Sequence, residues 1–181
     1  MQKHPVVFSE RNFLSRNSVS LTGTIFIEKS GAHVWDILTT PGHLELVHPF
    51  CKFHKKVAWD TVGQEDSGEF YSGEKMNRKL IYINKGVSYT MELTGRKQKK
   101  TTTTFHIKEN KESSGIDFSV SLITGAFNKM PRPFWKIYIQ KKVEYNLESY
   151  LSSLLNGIKF YSETGIPVTK NQFGSLKSVS P

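Results

Sequence analysis

The chain has 181 residues, of which 37% are apolar and 23% are charged, a size and composition that suit one compact domain with a substantial core. Its 25 basic and 16 acidic residues give a formal net charge of +9, and no apolar run approaches the roughly 20 residues that a membrane-spanning helix needs. The single cysteine, Cys51, excludes an internal disulfide, a cysteine-based zinc finger and an iron–sulfur cluster. Residues 1–20 lack the layout of a secretory signal, so we expect a cytoplasmic protein.

The first third of the chain predicts one strand followed by two short helices. Residues 1–17 are mixed and polar, and we expect them to form an N-terminal extension. Val19–Glu28 alternates apolar and polar residues, which is typical of a half-buried strand. Ser30 is a favourable N-cap for the first helix, and residues 44–47 predict the second, which His48-Pro49 ends.

Residues 51–123 predict β structure throughout, and they bring the total to seven strands. The clearest of these strands follows the turn at Asn84-Lys85-Gly86, where Tyr89 and Met91 share the apolar face. The last several strands are joined by short turns, which favours an antiparallel meander.

Residues 134–163 predict one long helix, because this stretch contains no proline and a single glycine. An apolar stripe runs along its whole length at helical spacing. Gly165-Ile166-Pro167 ends the helix, and residues 165–181 form a polar tail that we expect to be loose.

The element order, together with two local sequences, resembles the START-like superfamily (SRPBCC). The first sequence is Ile25-Phe26-Ile27-Glu28 followed by Ser30-Gly31-Ala32-His33-Val34-Trp35, and the second runs from Thr40-Pro41 to His48-Pro49-Phe50. The superfamily includes polyketide cyclases, pollen-allergen-like proteins and lipid-transfer domains, and the similarity covers residues 18–164. It implies an α+β helix-grip fold, in which a curved antiparallel sheet of seven strands wraps around the long C-terminal helix and leaves a hydrophobic cavity.

Packing considerations also favour a cavity, because one helix cannot fill the concave side of a strongly curved sheet with side chains alone. We expect the wall residues to come from the inward faces of the strands and of the long helix. These candidate ligand-binding residues are Trp59, Tyr89, Met91, Phe105, Phe118, Val120, Leu122, Ile139, Val143, Leu147 and Tyr150.

The sequence contains no motif for nucleophilic or metal-assisted catalysis. Its six histidines are scattered without metal-ligand spacing, so we expect no metal and no cofactor. His54 and His106 lie on the faces opposite their apolar neighbours and are predicted to face solvent. Cys51 is predicted to be a buried small hydrophobe. The better polar candidates for a cavity are tyrosines, which pack a ring and present a hydroxyl: Tyr71, Tyr82, Tyr89 and Tyr150.

Basic residues cluster at 96–100 and again at 129–142, around the predicted start of the long helix. Lys136 lies on the same side as the apolar stripe, so we expect it at the cavity mouth, where it would steer an anionic ligand weakly. We expect at most a weak contact with an anionic membrane surface. Nucleic-acid binding is not predicted, because the charge comes without a recognisable binding module.

The leading functional hypothesis is the binding of a small hydrophobic or amphipathic molecule, lipid-like or polyketide-like, in the internal cavity. A cyclase- or dehydratase-like enzyme using the same cavity is the first alternative. A protein-binding adaptor is the second. An enzyme should bring two polar groups with shifted pKa values together inside the cavity, whereas an adaptor should have a filled interior and an exposed apolar patch.

Overall fold

The computed structural model describes residues 5–15, 18–95, 100–111, 114–125 and 144–181, and these contain eight strands and three helices. In chain order the elements are β1 (Val7–Ser15), β2 (Ser18–Ile27), α1 (Gly31–Thr39), α2 (Leu44–Val47), β3 (Cys51–His54), β4 (Glu65–Phe70), β5 (Lys75–Asn84), β6 (Ser88–Thr94), β7 (Lys100–Glu109), β8 (Ile116–Gly125) and α3 (Glu144–Thr164).

All eight strands form one antiparallel sheet, in the order β1-β2-β8-β7-β6-β5-β4-β3. The α+β class and the C-terminal helix are therefore as predicted, but the predicted number of seven strands is wrong. The additional strand, β1, lies within the segment that was expected to be an extension, and it pairs with β2 from Val7 opposite Thr24. Two register shifts, between Ser9 and Asn12 and again before Ser15, break the period-two pattern that would have revealed it.

The described helix α3 packs mainly on β2 and covers the main core. Leu151 and Leu155 lie so close to Gly23 that a Cβ at that position would come 2.9 Å from Leu155 Cδ1. The predicted helix start, residues 134–143, lies outside the described residues. No helix in the described ranges is long and apolar enough to cross a membrane.

A second close approach fixes the end of α2 against α3. A Cβ at Gly157 would come 2.2 Å from the carbonyl oxygen of Val47, which is closer than two such atoms can lie. The absence of a side chain at Gly157 therefore allows α3 to pack on the end of α2. His48 and Tyr150 become neighbours as a consequence.

The tail after α3 is packed, contrary to the expectation that it is loose. Leu176 is buried in a small apolar cluster with Phe50, Phe70 and Met76, and Ser180 is also buried. The backbone N–H of Ser72 donates a hydrogen bond to the carbonyl oxygen of Val179 at 3.0 Å. The tail is polar in overall composition, so the sequence did not indicate that Leu176 and Val179 would anchor it.

Candidate functional site

A cavity of about 320 Å³ lies between the inner face of the sheet and α3, within the usual size range of small-molecule sites. Apolar side chains form most of its wall. These are Leu44, Phe70, Met76, Met91, Leu93, Phe105, Leu122, Leu147, Tyr150, Leu154, Leu176 and Val179. The described polar side chains on the wall are His48, Glu74, Lys75, Arg78, Thr101, Thr103, Asn146 and Ser178.

The predicted wall residues divide into three groups. The first group lines the cavity: Met91, Phe105, Leu122, Leu147 and Tyr150. The second group is buried in the core away from the described cavity wall: Trp59, Tyr89, Phe118 and Val120. The third group lies outside the described residues: Lys136, Ile139 and Val143. Tyr89 illustrates the second group, because its ring stacks on Phe105 at 4.8 Å and so supports a wall residue from behind.

A histidine–tyrosine pair lies on the wall of the cavity. His48 Nε2 is 2.9 Å from the hydroxyl oxygen of Tyr150, and the backbone N–H of Phe50 donates to His48 Nδ1 at 3.1 Å. Burial, aided by the positive charge of Arg78, lowers the pKa of His48 to about 3. Burial likewise raises the pKa of the Tyr150 hydroxyl. Both side chains are therefore neutral at pH 7.

A buried cluster of His54, Asp66 and Arg78 lies behind the cavity. Arg78 Nε donates to Asp66 Oδ1 at 2.7 Å, Arg78 Nη2 contacts Asp66 Oδ2, and His54 Nε2 lies 2.9 Å from the same oxygen. The guanidinium also lies 4.7 Å from the centre of the Trp59 ring, a cation–π contact. Arg78 is thus held in one position while part of its side chain borders the cavity.

The prediction that His54 faces solvent is wrong. The pairing of β3 with β4 shifts by one residue between Cys51 and Phe53, so that Cys51 and His54 both point inward and Phe53 is 54% exposed. An inserted residue of this kind reverses the alternation and is not visible in the period-two pattern. The strand β5 did carry a signal, because Arg78 sits between the apolar Met76 and Leu80 on the inward face.

The remaining candidates have simple surroundings. Cys51 is buried as predicted, and burial raises the pKa of its thiol to about 12. His106 is exposed as predicted, and Tyr82 is also exposed, so neither faces the cavity. In the described ranges, no three His, Cys, Asp or Glu side chains are grouped so that they would hold a metal ion.

No protein-family model and no curated protein matches the chain. Solved structures do match. DynU16, "a putative protein in the dynemicin biosynthetic locus", aligns with a TM-score of 0.56 and 11% identity over 82% of this chain and 48% of its own. Ara h 8.0201 aligns with a TM-score of 0.54 and 13% identity over 80% of this chain and 97% of its own. Protein Ms6760 from Mycobacterium smegmatis aligns with a TM-score of 0.57 and 15% identity over 86% and 96%.

The chain has a helix-grip fold like that of these three structures. The predicted similarity is therefore confirmed at the level of the fold, which is what similarity at such low identity shows. The chain spans about half the length of DynU16. It spans nearly the whole of the other two proteins, so the helix-grip unit accounts for most of each of them.

Proposed function

We propose that the protein binds a small hydrophobic or amphipathic molecule, lipid-like or polyketide-like, in the cavity between the sheet and α3. The observation that carries the proposal is the cavity itself, with its mostly apolar wall and its few fixed polar groups. Ligand sites in proteins have this composition, because apolar contact supplies affinity and a small number of polar groups supplies orientation.

Packing energetics support an occupant for this space. Side chains that border a void lose the dispersion contacts that they would make in a close-packed core, and the fold is less stable for it. An apolar ligand restores those contacts. Its binding to the folded chain alone would also raise the free energy of unfolding.

The protonation states of His48 and Tyr150 favour binding over catalysis. A cyclase- or dehydratase-like enzyme would need an acid or base whose pKa lies near the operating pH. His48 and Tyr150 converge on the wall, but burial moves the pKa values of both away from neutrality. Neutral side chains of this kind are suited to hydrogen bonding with a ligand.

An adaptor is disfavoured for a different reason, because the interior between sheet and helix is not filled in the described part of the chain.

Native mass spectrometry of the freshly purified protein tests the proposal directly. We expect a population heavier than the bare chain, and extraction with organic solvent should release a small apolar molecule that accounts for the added mass. Protein that carries no added mass, and that gains none when it is incubated with fatty acids or aromatic polyketides, would contradict the proposal.

Blocking the cavity gives a second test with a matched control. Leu147 lines the cavity from α3, so Leu147→Trp should fill part of the void and weaken binding of the uncharged fluorescent probe N-phenyl-1-naphthylamine. Tyr145 lies half a turn away and is 69% exposed, so Tyr145→Trp adds an indole to the same helix outside the cavity. Equal probe binding by both variants would place the probe elsewhere and argue against the cavity as the site.

A further inference from the structure

We propose that the ligand of the cavity carries an uncharged carbonyl oxygen, and that the hydroxyl of Tyr150 donates a hydrogen bond to it. The inference rests on the proposed function of the same cavity. It adds a chemical class of ligand, ketone-like rather than purely hydrocarbon or carboxylate, and it assigns the residue that recognises the class.

The first step is the tautomer of His48. The backbone N–H of Phe50 donates to His48 Nδ1 at 3.1 Å, so this nitrogen must present a lone pair. The imidazole is buried and neutral, and a neutral imidazole carries one proton. That proton therefore resides on Nε2.

The second step is the direction of the bond between His48 and Tyr150. Because Nε2 carries the proton, it donates to the Tyr150 oxygen across the 2.9 Å separation. The phenol oxygen acts as the acceptor there, and its own proton remains available for another partner. Within the described part of the chain, the Tyr150 hydroxyl has no second hydrogen-bond partner. Tyr150 is partly exposed on the cavity wall, so a ligand can reach it.

Two other wall residues also carry donor atoms that are available to a ligand. Arg78 Nη1 and the hydroxyl of Thr103 are buried and have no hydrogen-bond partner among the described residues. A guanidinium nitrogen only donates, and a hydroxyl donates or accepts. These two side chains, together with the Tyr150 hydroxyl, therefore complement a molecule that accepts hydrogen bonds.

The charges around the cavity favour a neutral acceptor. The guanidinium of Arg78 is already paired with the buried carboxylate of Asp66, and both side chains are 1% exposed. His48 contributes no positive charge at pH 7. Lys75 also lines the cavity, but it is exposed to solvent, so Arg78 is the only buried cation among the described wall residues, and it is already paired. Burying a ligand carboxylate there would therefore be strongly unfavourable, whereas burying a carbonyl oxygen would not.

Three tricyclic probes separate the possibilities. 9-Fluorenone and fluorene differ only in a carbonyl in place of a methylene group, and fluorene-9-carboxylate adds an anion to the same ring system. We expect the wild-type protein to bind fluorenone roughly fivefold more tightly than fluorene, the factor that one net hydrogen bond supplies, and to bind the carboxylate weakest. Isothermal titration calorimetry measures all three affinities.

Tyr150→Phe should abolish the preference for fluorenone while retaining fluorene binding, because the ring remains and only the hydroxyl is lost. The control, Tyr145→Phe, removes the hydroxyl of an exposed tyrosine on the same helix and should change neither affinity. The carbonyl stretching band of bound fluorenone should lie at lower frequency in the wild type than in Tyr150→Phe.

Each outcome decides between the two proposals. Equal affinities for fluorenone and fluorene in the wild type would overturn the carbonyl inference and leave the proposed function standing. Tightest binding of the carboxylate would overturn the argument for a neutral ligand. Failure of all three probes to bind would overturn both. A fourth measurement is independent of ligands: nitrogen-15 NMR should show His48 protonated on Nε2, and protonation on Nδ1 would overturn the inference even if Tyr150→Phe failed to fold.

Discussion

Asp66 and Arg78 lie directly opposite each other on β4 and β5 and form a buried ion pair with two points of contact. Burial alone would raise the pKa of Asp66, but the hydrogen bonds with Arg78 and His54 and the positive charge of Arg78 outweigh it and lower the pKa to about 2. This arrangement ties the stability of the edge of the sheet to pH.

We predict acid destabilisation between pH 4 and pH 2 that depends on Asp66. Because its pKa is lower in the folded state than in the unfolded chain, its contribution is present above pH 4 and is lost as the pH falls toward 2. The loss is about 2 kcal/mol of unfolding free energy for this one group. Urea unfolding at a series of pH values should show it in the wild type and in the exposed control Asp60→Asn. Asp66→Asn should be less stable at pH 7 and should lack this part of the pH dependence; an unchanged slope would contradict the assignment.

The buried His48 should produce a second pH dependence at milder acidity. The pKa of His48 is about 3 in the folded protein and about 6.5 in the unfolded chain, so only the unfolded state takes up a proton between these values. We expect the unfolding free energy to fall by about 1.4 kcal/mol for each pH unit below 6.5 on account of this residue. His43, whose pKa burial also lowers, should add to the effect. Replacing His48 with Gln should reduce the slope, and replacing the exposed His106 with Gln should not.

Two leucines one turn apart on α3 should respond differently to truncation. Leu151 is fully buried against Gly23, and Leu151→Ala should cost about 2 to 5 kcal/mol of unfolding free energy. Leu147 borders the cavity, so part of its surface has no packing partner to lose, and Leu147→Ala should cost less. Equal losses at the two positions would indicate that Leu147 is closely packed. A bound ligand should increase the loss of unfolding free energy caused by Leu147→Ala, because the ligand supplies the contacts that Leu147 lacks in the empty cavity.

The C-terminal tail should slow the exchange of ligand. Leu176, Ser178 and Val179 form part of the cavity wall. Deletion of residues 175–181 should raise the dissociation rate of N-phenyl-1-naphthylamine roughly tenfold in stopped-flow experiments, since the lost apolar contacts act mainly on dissociation. Lys177 is exposed, and Lys177→Ala should leave the rate unchanged. A deletion variant with an unaltered rate would show that the ligand leaves by another route.

The parts of the fold with uninterrupted periodicity could be predicted from the sequence. The strand containing Tyr89 and Met91 and the capped helix α1 appear where the pattern indicates, and the side chain of Ser30 accepts a hydrogen bond from the backbone N–H of His33 as expected for an N-cap. In these elements, local sequence and tertiary structure favour the same arrangement.

The parts that could not be predicted depend on pairing between distant segments. The inward orientation of His54 results from a register shift against β4, and β1 is a strand only because β2 offers an edge. The His48–Tyr150 bond joins residues 102 positions apart, and Gly157 is what allows the approach. Neither spacing nor composition encodes these relationships, since each depends on which partner the backbone meets.

The ten-residue ladder between β2 and β8, from Ser18 opposite Gly125 to Ile27 opposite Ile116, has a kinetic consequence. The β1–β2 hairpin and the meander from β3 to β8 form from neighbouring segments, but the ladder closes a loop of about a hundred residues. The entropy lost in closing this loop opposes folding until the contacts between β2 and β8 form, and this slows the folding of such topologies. During synthesis, the sheet can be completed only after β8 has left the ribosome, and until then β2 presents an unpaired edge that is available to other chains.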